Sequence, residues 1–298
     1  MSLRADPFAG PGPRVFSIPA GAAFLRCLAQ TLIDALDRPD DPFALADAIV
    51  LLPTRRAGRA LADAFLALRG EGAALLPRIR ALGDLEPDDA GLADLEASDI
   101  ATAASIVQGR YVVGRLGRRQ MTDGGAPDDA AGALAAADAL ASLLDSAALA
   151  EEPVDWGRLP GLVADADLAA HWEASAKFLE IVASAWPARL AELGLIDPGE
   201  RRRQVLLRLA QRWGEAPPQG PVVVAGSTGS VAATRALMAA AAHLPRGCVV
   251  LPGLDRECDD ATWAALDDAH PQFGLKQLID RIGVTRDEVA DWPLAAGV

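Results

Sequence analysis

The sequence predicts an α/β fold: a parallel sheet covered by helices on both faces and interrupted by an all-helical insertion. Three observations carry this expectation. Near-continuous apolar runs at Val15–Ile18, Ile49–Leu52 and Val222–Ala225 are what strands buried on both faces require. Each run passes through a loop into a segment with apolar residues at helical spacing. Between the second and third runs, from about Ser98 to Trp213, there is no strand-like alternation of useful length, and the abundant alanine favours helix.

Taken in order, Val15–Ile18 is followed by a helix with Leu25, Leu28, Leu32 and Leu36 on one face. Ile49–Leu52 leads into a second helix, about Arg56–Leu68, with Leu61, Phe65 and Leu68 inward. Leu75–Leu85 reads as a short strand and a loop. Helical segments near 98–117, 128–148, 166–193 and 199–213 come next, separated by Gly124–Pro127, Pro153–Gly161 and Gly194–Pro198. Asp197 is placed to cap the last of them, with Pro198 at its first helical position. Pro217–Pro221 forms a stiff boundary, after which Val222–Ala225, a helix over Ala232–Ala242 and a strand at Cys248–Leu251 resume the α/β pattern. The organisation is therefore 1–95 as the first half of the sheet lobe, 96–214 as the insertion, and 215–298 as the return of the lobe.

With 298 residues, 51% of them hydrophobic and 23% charged, the chain can bury a substantial core. No apolar run reaches the roughly 18 residues a membrane helix needs, and the start lacks the apolar core of a secretory signal, so a cytoplasmic location is expected. Cys27, Cys248 and Cys258 are odd in number and scattered, which indicates neither a disulfide framework nor a metal knuckle. His171, His243 and His270 have no ligand spacing either.

The net charge is −13, and of the 28 basic residues only Lys177 and Lys276 are lysines. An acidic total excludes a surface coated in basic charge, but a groove is set by local clustering. Arg55, Arg56, Arg59, Arg69, Arg78 and Arg80 stand against only Asp63 and Glu71 between Pro53 and Arg80. Further clusters lie at Arg110, Arg115, Arg118 and Arg119, and at Arg201, Arg202, Arg203, Arg208 and Arg212. Singly, each reads as a solvated helix face; their value depends on convergence.

Two loops lie where an α/β sheet holds phosphate. After the first strand comes Pro19-Ala20-Gly21-Ala22, where a phosphate-cradling loop needs more glycine, a lysine for the β/γ-phosphates and a Ser/Thr hydroxyl for Mg²⁺. None of these follows Gly21. After the third strand, Gly226-Ser227-Thr228-Gly229-Ser230 lacks the third glycine of a dinucleotide fingerprint, since Val231 and Ala232 stand there, and reads first as a tight turn. Pro53-Thr54-Arg55-Arg56-Ala57-Gly58-Arg59, at the end of the second strand, reads either as an ordinary Thr54 N-cap followed by exposed arginines or as a hydroxyl, helix-terminal amides and guanidinium groups suited to a DNA phosphate. Asp259-Asp260 and Asp267-Asp268 read as the wet face of a helix beside Trp263 and Leu266. The tryptophans, among them Trp156, Trp172, Trp186 and Trp213, read as core anchors.

The ordered stretches Val15–Leu25, Ile49–Ala57, Leu76–Gly83, Val223–Ser230, Val249–Asp255 and His270–Lys276 resemble the AddB subunit of the bacterial AddAB helicase–nuclease, which processes double-strand DNA breaks. The resemblance implies a degenerate RecA-like lobe, similar to the first motor domain of a superfamily 1 helicase, with an inserted helical subdomain. It places Pro19, Ala20, Gly21 and Ala22 at an emptied Walker A loop. Ala225, Gly226 and Ser227 stand where the Mg²⁺-binding acidic motif would end, with Ala225 in the place of the carboxylate. Thr54 and Arg55 stand at the motif that contacts single-stranded DNA.

The expectation is an ATPase-inactive, DNA-guiding scaffold that contacts single-stranded or end-processed DNA through Thr54, Arg55, Arg56 and Arg59, with Arg78 and Arg80 beside them. Its partner would be an AddA-like helicase subunit, and no activity or cofactor is expected of this chain alone. Family members also carry a C-terminal nuclease domain with an iron–sulfur cluster and Mg²⁺, so the chain reads as an N-terminal portion. Two other readings stay open: a nucleotide-binding α/β enzyme using Gly226–Ser230, and a structural docking module for the partner subunit.

Overall fold

The computed structural model describes residues 6–293 except 39–40, 42, 71–74, 86–99, 105–137, 141, 145, 148, 150–153, 159–178 and 180–182. The chain divides into two compact units, Met1–Ala97 with Val205–Val298, and Ser98–Gln204.

The first unit is built on strands β1 (Val15–Ile18), β2 (Ile49–Leu52), β3 (Arg78–Ala81), β6 (Val222–Ala225), β7 (Gly247–Pro252) and β8 (Ala290–Asp291), two short strands β4 and β5 belonging to the second unit. They form one six-stranded parallel sheet in the order β3-β2-β6-β7-β1-β8. All four residues of β2 and of β6 are buried, which is why these strands read as unbroken apolar runs. From β1 the chain crosses in one direction to β2 and β3; from β6 it moves in the other, to β7 and β8. Right-handed crossovers then put the helices of the two directions on opposite faces.

On the first face lie α1 (Phe24–Leu36) and α2 (Arg55–Arg69), packed against each other. Leu28, Leu32 and Leu36 of α1 and Leu61 and Phe65 of α2 are buried against Ile18, Val50, Leu52, Val223 and Val250. Each such side chain stabilises the fold by roughly 1.5–3 kcal/mol through removal from water. Cys27 and Cys248 lie in the same core, and Cys258 is half-buried near the surface. On the second face α4 (Ala232–His243) packs on α6 (Phe273–Ile282), which the short α5 (Asp260–Ala264) precedes in the chain.

The sheet is extended past β1 by β8, an element with no sequence signature because it is two exposed residues long. Its anchor is Trp292, 1% exposed, whose ring meets Phe16 edge-on with centroids 5.3 Å apart. The Trp292 amide donates to the Ser17 carbonyl at 3.0 Å, and the Thr31 hydroxyl donates to the Pro293 carbonyl.

In the second unit, Ala104, Leu140, Leu144, Trp186 and Leu190 form a small core. One expectation is corrected here. The stretch 98–213 is not helical throughout: β4 (Thr102–Ala103) and β5 (Leu195–Ile196) pair in parallel. Two-residue strands are too short to show a period-2 pattern. Asp197 does cap α3 (Pro198–Glu215), accepting the Gly199 and Glu200 amides at 2.8 and 3.2 Å. Most of the segments expected near 98–117, 128–148 and 166–193, together with Arg110, Arg115, Arg118, Arg119, His171, Trp172 and Lys177, lie outside the described residues. Among the described residues no helix is long and apolar enough to cross a membrane.

Trp292→Ala is expected to lower stability by about 3–5 kcal/mol, the usual cost of truncating a buried tryptophan. Urea unfolding followed by circular dichroism would measure it.

Candidate nucleic-acid interface

The loops leaving β1, β2, β6 and β7 all emerge at the carboxyl edge of the sheet. Neighbouring strands send the chain toward opposite faces between β2 and β6 and again between β7 and β1, the kind of switch point at which open α/β sheets bind ligands. At the first of these the chain packs closely on itself. The ring of Phe24, the first residue of α1, lies 3.3 Å from where a Cβ on Gly226 would stand, and Pro53 Cδ lies 3.7 Å from the same point. Gly226 also has φ +73°, a conformation that favours glycine. Beside it, Ala20 Cβ is 3.1 Å from where a Cβ on Gly253 would stand.

Between these contacts, Pro19, Ala20, Gly21 and Ala22 make a simple turn in which the Ala22 amide donates to the Pro19 carbonyl at 3.2 Å. Ala23 precedes α1 with no side-chain cap. The loop thus offers neither an ammonium nor a hydroxyl to a triphosphate.

The Gly226–Ser230 loop is gripped from the inside. Buried Arg235 donates to the Gly229 carbonyl at 3.1 Å and to Gln277 Oε1. Leu278 packs on Gly229, and the Thr228 carbonyl oxygen lies 3.1 Å from where a Cβ on Gly274 would stand. Ser227 Oγ accepts the Gly229 amide at 3.2 Å. These contacts make it a packed turn. Gln272 ties in the neighbouring loop: its Nε2 donates to the Gly253 carbonyl at 2.9 Å, and its Oε1 accepts the Asp255 amide at 3.2 Å. Ala225, fully buried, ends β6 in a methyl group, which offers no oxygen to a cation. The three cysteines alone cannot supply the four thiolates of an iron–sulfur cluster.

The arginines divide into two sets. Thr54 caps α2, its Oγ1 accepting the Ala57 amide at 3.1 Å. Arg55, Arg56 and Arg59 follow, all exposed, on the side of α2 turned away from Leu61 and Phe65. No acidic residue stands in the first turn of this helix. Cations at the positive end of a helix forgo the macrodipole stabilisation that Asp or Glu would bring there. Arg55 is met from outside the helix by Asp84, which ends the 3₁₀ turn Leu82–Asp84 after β3: Nε lies 2.5 Å from Oδ2 and Nη2 lies 2.9 Å from Oδ1. This hydrogen-bonded pair raises the Arg55 pKa.

Arg78 and Arg80 do not join that set. In register they share the face of Ile49 and Leu51, whereas Ile79, between them, packs against Gly58 of α2. Arg78 approaches Asp47 at 3.8 Å instead. At the far end of α2, Arg69 pairs with Asp37. Sequence spacing grouped these residues because it does not say which face a helix covers.

The second unit has a cleft of about 570 Å³ lined by Leu144, Trp156, Trp186, Leu190 and Leu195. Its polar rim is committed to the fold. Asp197 Oδ2 accepts the Trp186 indole N–H at 2.9 Å, and Arg203 donates to both Glu200 oxygens at 2.7 and 2.8 Å, holding that carboxyl below its ordinary value.

No family model matches this chain, and no curated protein does.

Gln272→Ala removes two hydrogen bonds and is expected to cost about 1–3 kcal/mol. Urea unfolding would give the loss, and Gln272→Glu, which keeps the acceptor only, should fall between.

Proposed function

We propose that this chain is a helicase-like, ATPase-inactive module that guides single-stranded DNA by its phosphate backbone. On this reading it is a cytoplasmic scaffold working beside an AddA-like helicase subunit, which supplies ATP hydrolysis during processing of double-strand breaks. The observation that carries the proposal is the first turn of α2: Thr54, Arg55, Arg56 and Arg59 gather three exposed guanidinium groups at an amide-rich helix start with no acidic residue in its first turn. Helix dipole and side-chain charge there have the same sign, and both attract a phosphate.

Two features support the ATPase-inactive half of the reading. Phe24 and Pro53 converge on Gly226 where a ligand would enter the crevice. The Gly226–Ser230 loop, held by Arg235 and α6, is packed as a turn, which speaks against a nucleotide-dependent enzyme using it.

Contacts to phosphate carry no sequence information, so binding should be salt-dependent and largely indifferent to base composition. Arg55→Ala/Arg56→Ala is expected to weaken single-strand binding and to flatten the plot of log affinity against log salt by about 1.4, two contacts at roughly 0.7 each. Fluorescence anisotropy with a labelled oligonucleotide would measure both. Equal binding by the double variant would remove the proposed contact.

A further inference from the structure

We infer that Asp84 is a built-in competitor for the phosphate at Arg55: a counterion that a nucleic-acid backbone must displace from the guanidinium. This rests on the reading of α2 given above and adds a regulator to it. Arg55 and Asp84 meet through Nε–Oδ2 and Nη2–Oδ1, the two-point geometry in which a guanidinium also binds phosphate. The same donors cannot serve both partners.

The pair is held by the fold and not by local sequence. Arg55 is the first residue of α2, and Asp84 closes the turn after β3, the strand packed under that helix. It is also open to exchange: the side chains are 74% and 35% exposed, and a solvated ion pair is weak. Asp84 therefore lowers the grip of the surface without disabling it. A guiding surface must let its strand move, and a resident carboxylate gives each phosphate a ready replacement when it leaves.

The charge balance fixes the sign of the effect. A phosphate that displaces Asp84 from Arg55 sheds its condensed counterion whether or not the carboxylate is there, so Asp84 competes for the donors without changing the salt slope. A carboxylate roughly 6 Å from a bound phosphate in a water-like medium also weakens binding about threefold, and more at lower effective dielectric.

The test uses the 298-residue chain and a fluorescein-labelled single-stranded oligo-dT, with anisotropy read across about 50–200 mM salt. Wild type is compared with Asp84→Asn, Arg55→Ala and the double variant, each checked for unchanged thermal unfolding. Asp84→Asn is expected to bind about three- to tenfold more tightly with an unchanged salt slope, and the gain should shrink when Arg55 is alanine. Unchanged or weaker binding by Asp84→Asn, with Arg55→Ala still weakening it, overturns the inference and leaves the reading of the site standing. An equal gain in the Arg55→Ala background also overturns it, since Asp84 would then act as a general surface charge. If Arg55→Ala/Arg56→Ala binds as wild type does, the reading of the site fails and the inference with it.

Discussion

The close approach of the β1–α1 loop to the ends of β6 and β7 is the constraint on which this edge of the molecule depends. It is possible because Gly226 and Gly253 have no side chains: Phe24 sits over the one and Ala20 over the other. With the ring in place, α1 begins directly at the crevice, and Pro53, the residue before the α2 cap, is drawn to the same point. A Cβ at Gly226 would need the Phe24 ring to give by a few tenths of an ångström, and one at Gly253 would need the same of Ala20. Close-packed interiors transmit such displacements because they hold few voids to absorb them. Hydrophobic contact internal to the chain thus sets the shape of this edge.

Charge is distributed with the opposite economy. The chain as a whole is acidic, at −13, yet the start of α2 concentrates three arginines. On the proposed reading a polyanion would be repelled at long range and attracted only within about a Debye length of this turn, some 8–10 Å at ordinary salt. Such a field suits transient contact better than tight capture. Arg78 and Arg80, displayed on the other face of the sheet rim, add little to that local potential. Charged side chains on an outer strand have a separate use, since they discourage pairing with a foreign strand.

Much of the fold was legible because buried parallel strands spell themselves out. Ile49–Leu52 and Val222–Ala225 are apolar at every position, and Leu28, Leu32 and Leu36 repeat at helical spacing. Asp197 was legible as a cap because its chemistry acts on its immediate neighbours. What escaped the sequence acts at a distance or in fragments too short for a period. β8 is two residues held by Trp292, and β4 and β5 are two residues each. At the candidate site, Thr54 and Arg55 were legible from residue type and position, but Asp84 was not, because its partner lies on another element. Phe24 reads as one more apolar residue until Gly226 is brought beneath it. Alternation could have separated Arg78 and Arg80 from Ile79, but only a known helix contact shows which face is which.

The two interior cysteines have a practical consequence. Cys27, on the inward face of α1, and Cys248, in β7, lie at 1% and 0% exposure in the core, and burial raises the Cys248 thiol above its ordinary pKa. Burial keeps an alkylating reagent from both sulfurs while the sheet is closed. Their modification by a maleimide would therefore time the opening of the whole lobe, with half-buried Cys258 as an internal reference that reacts without it.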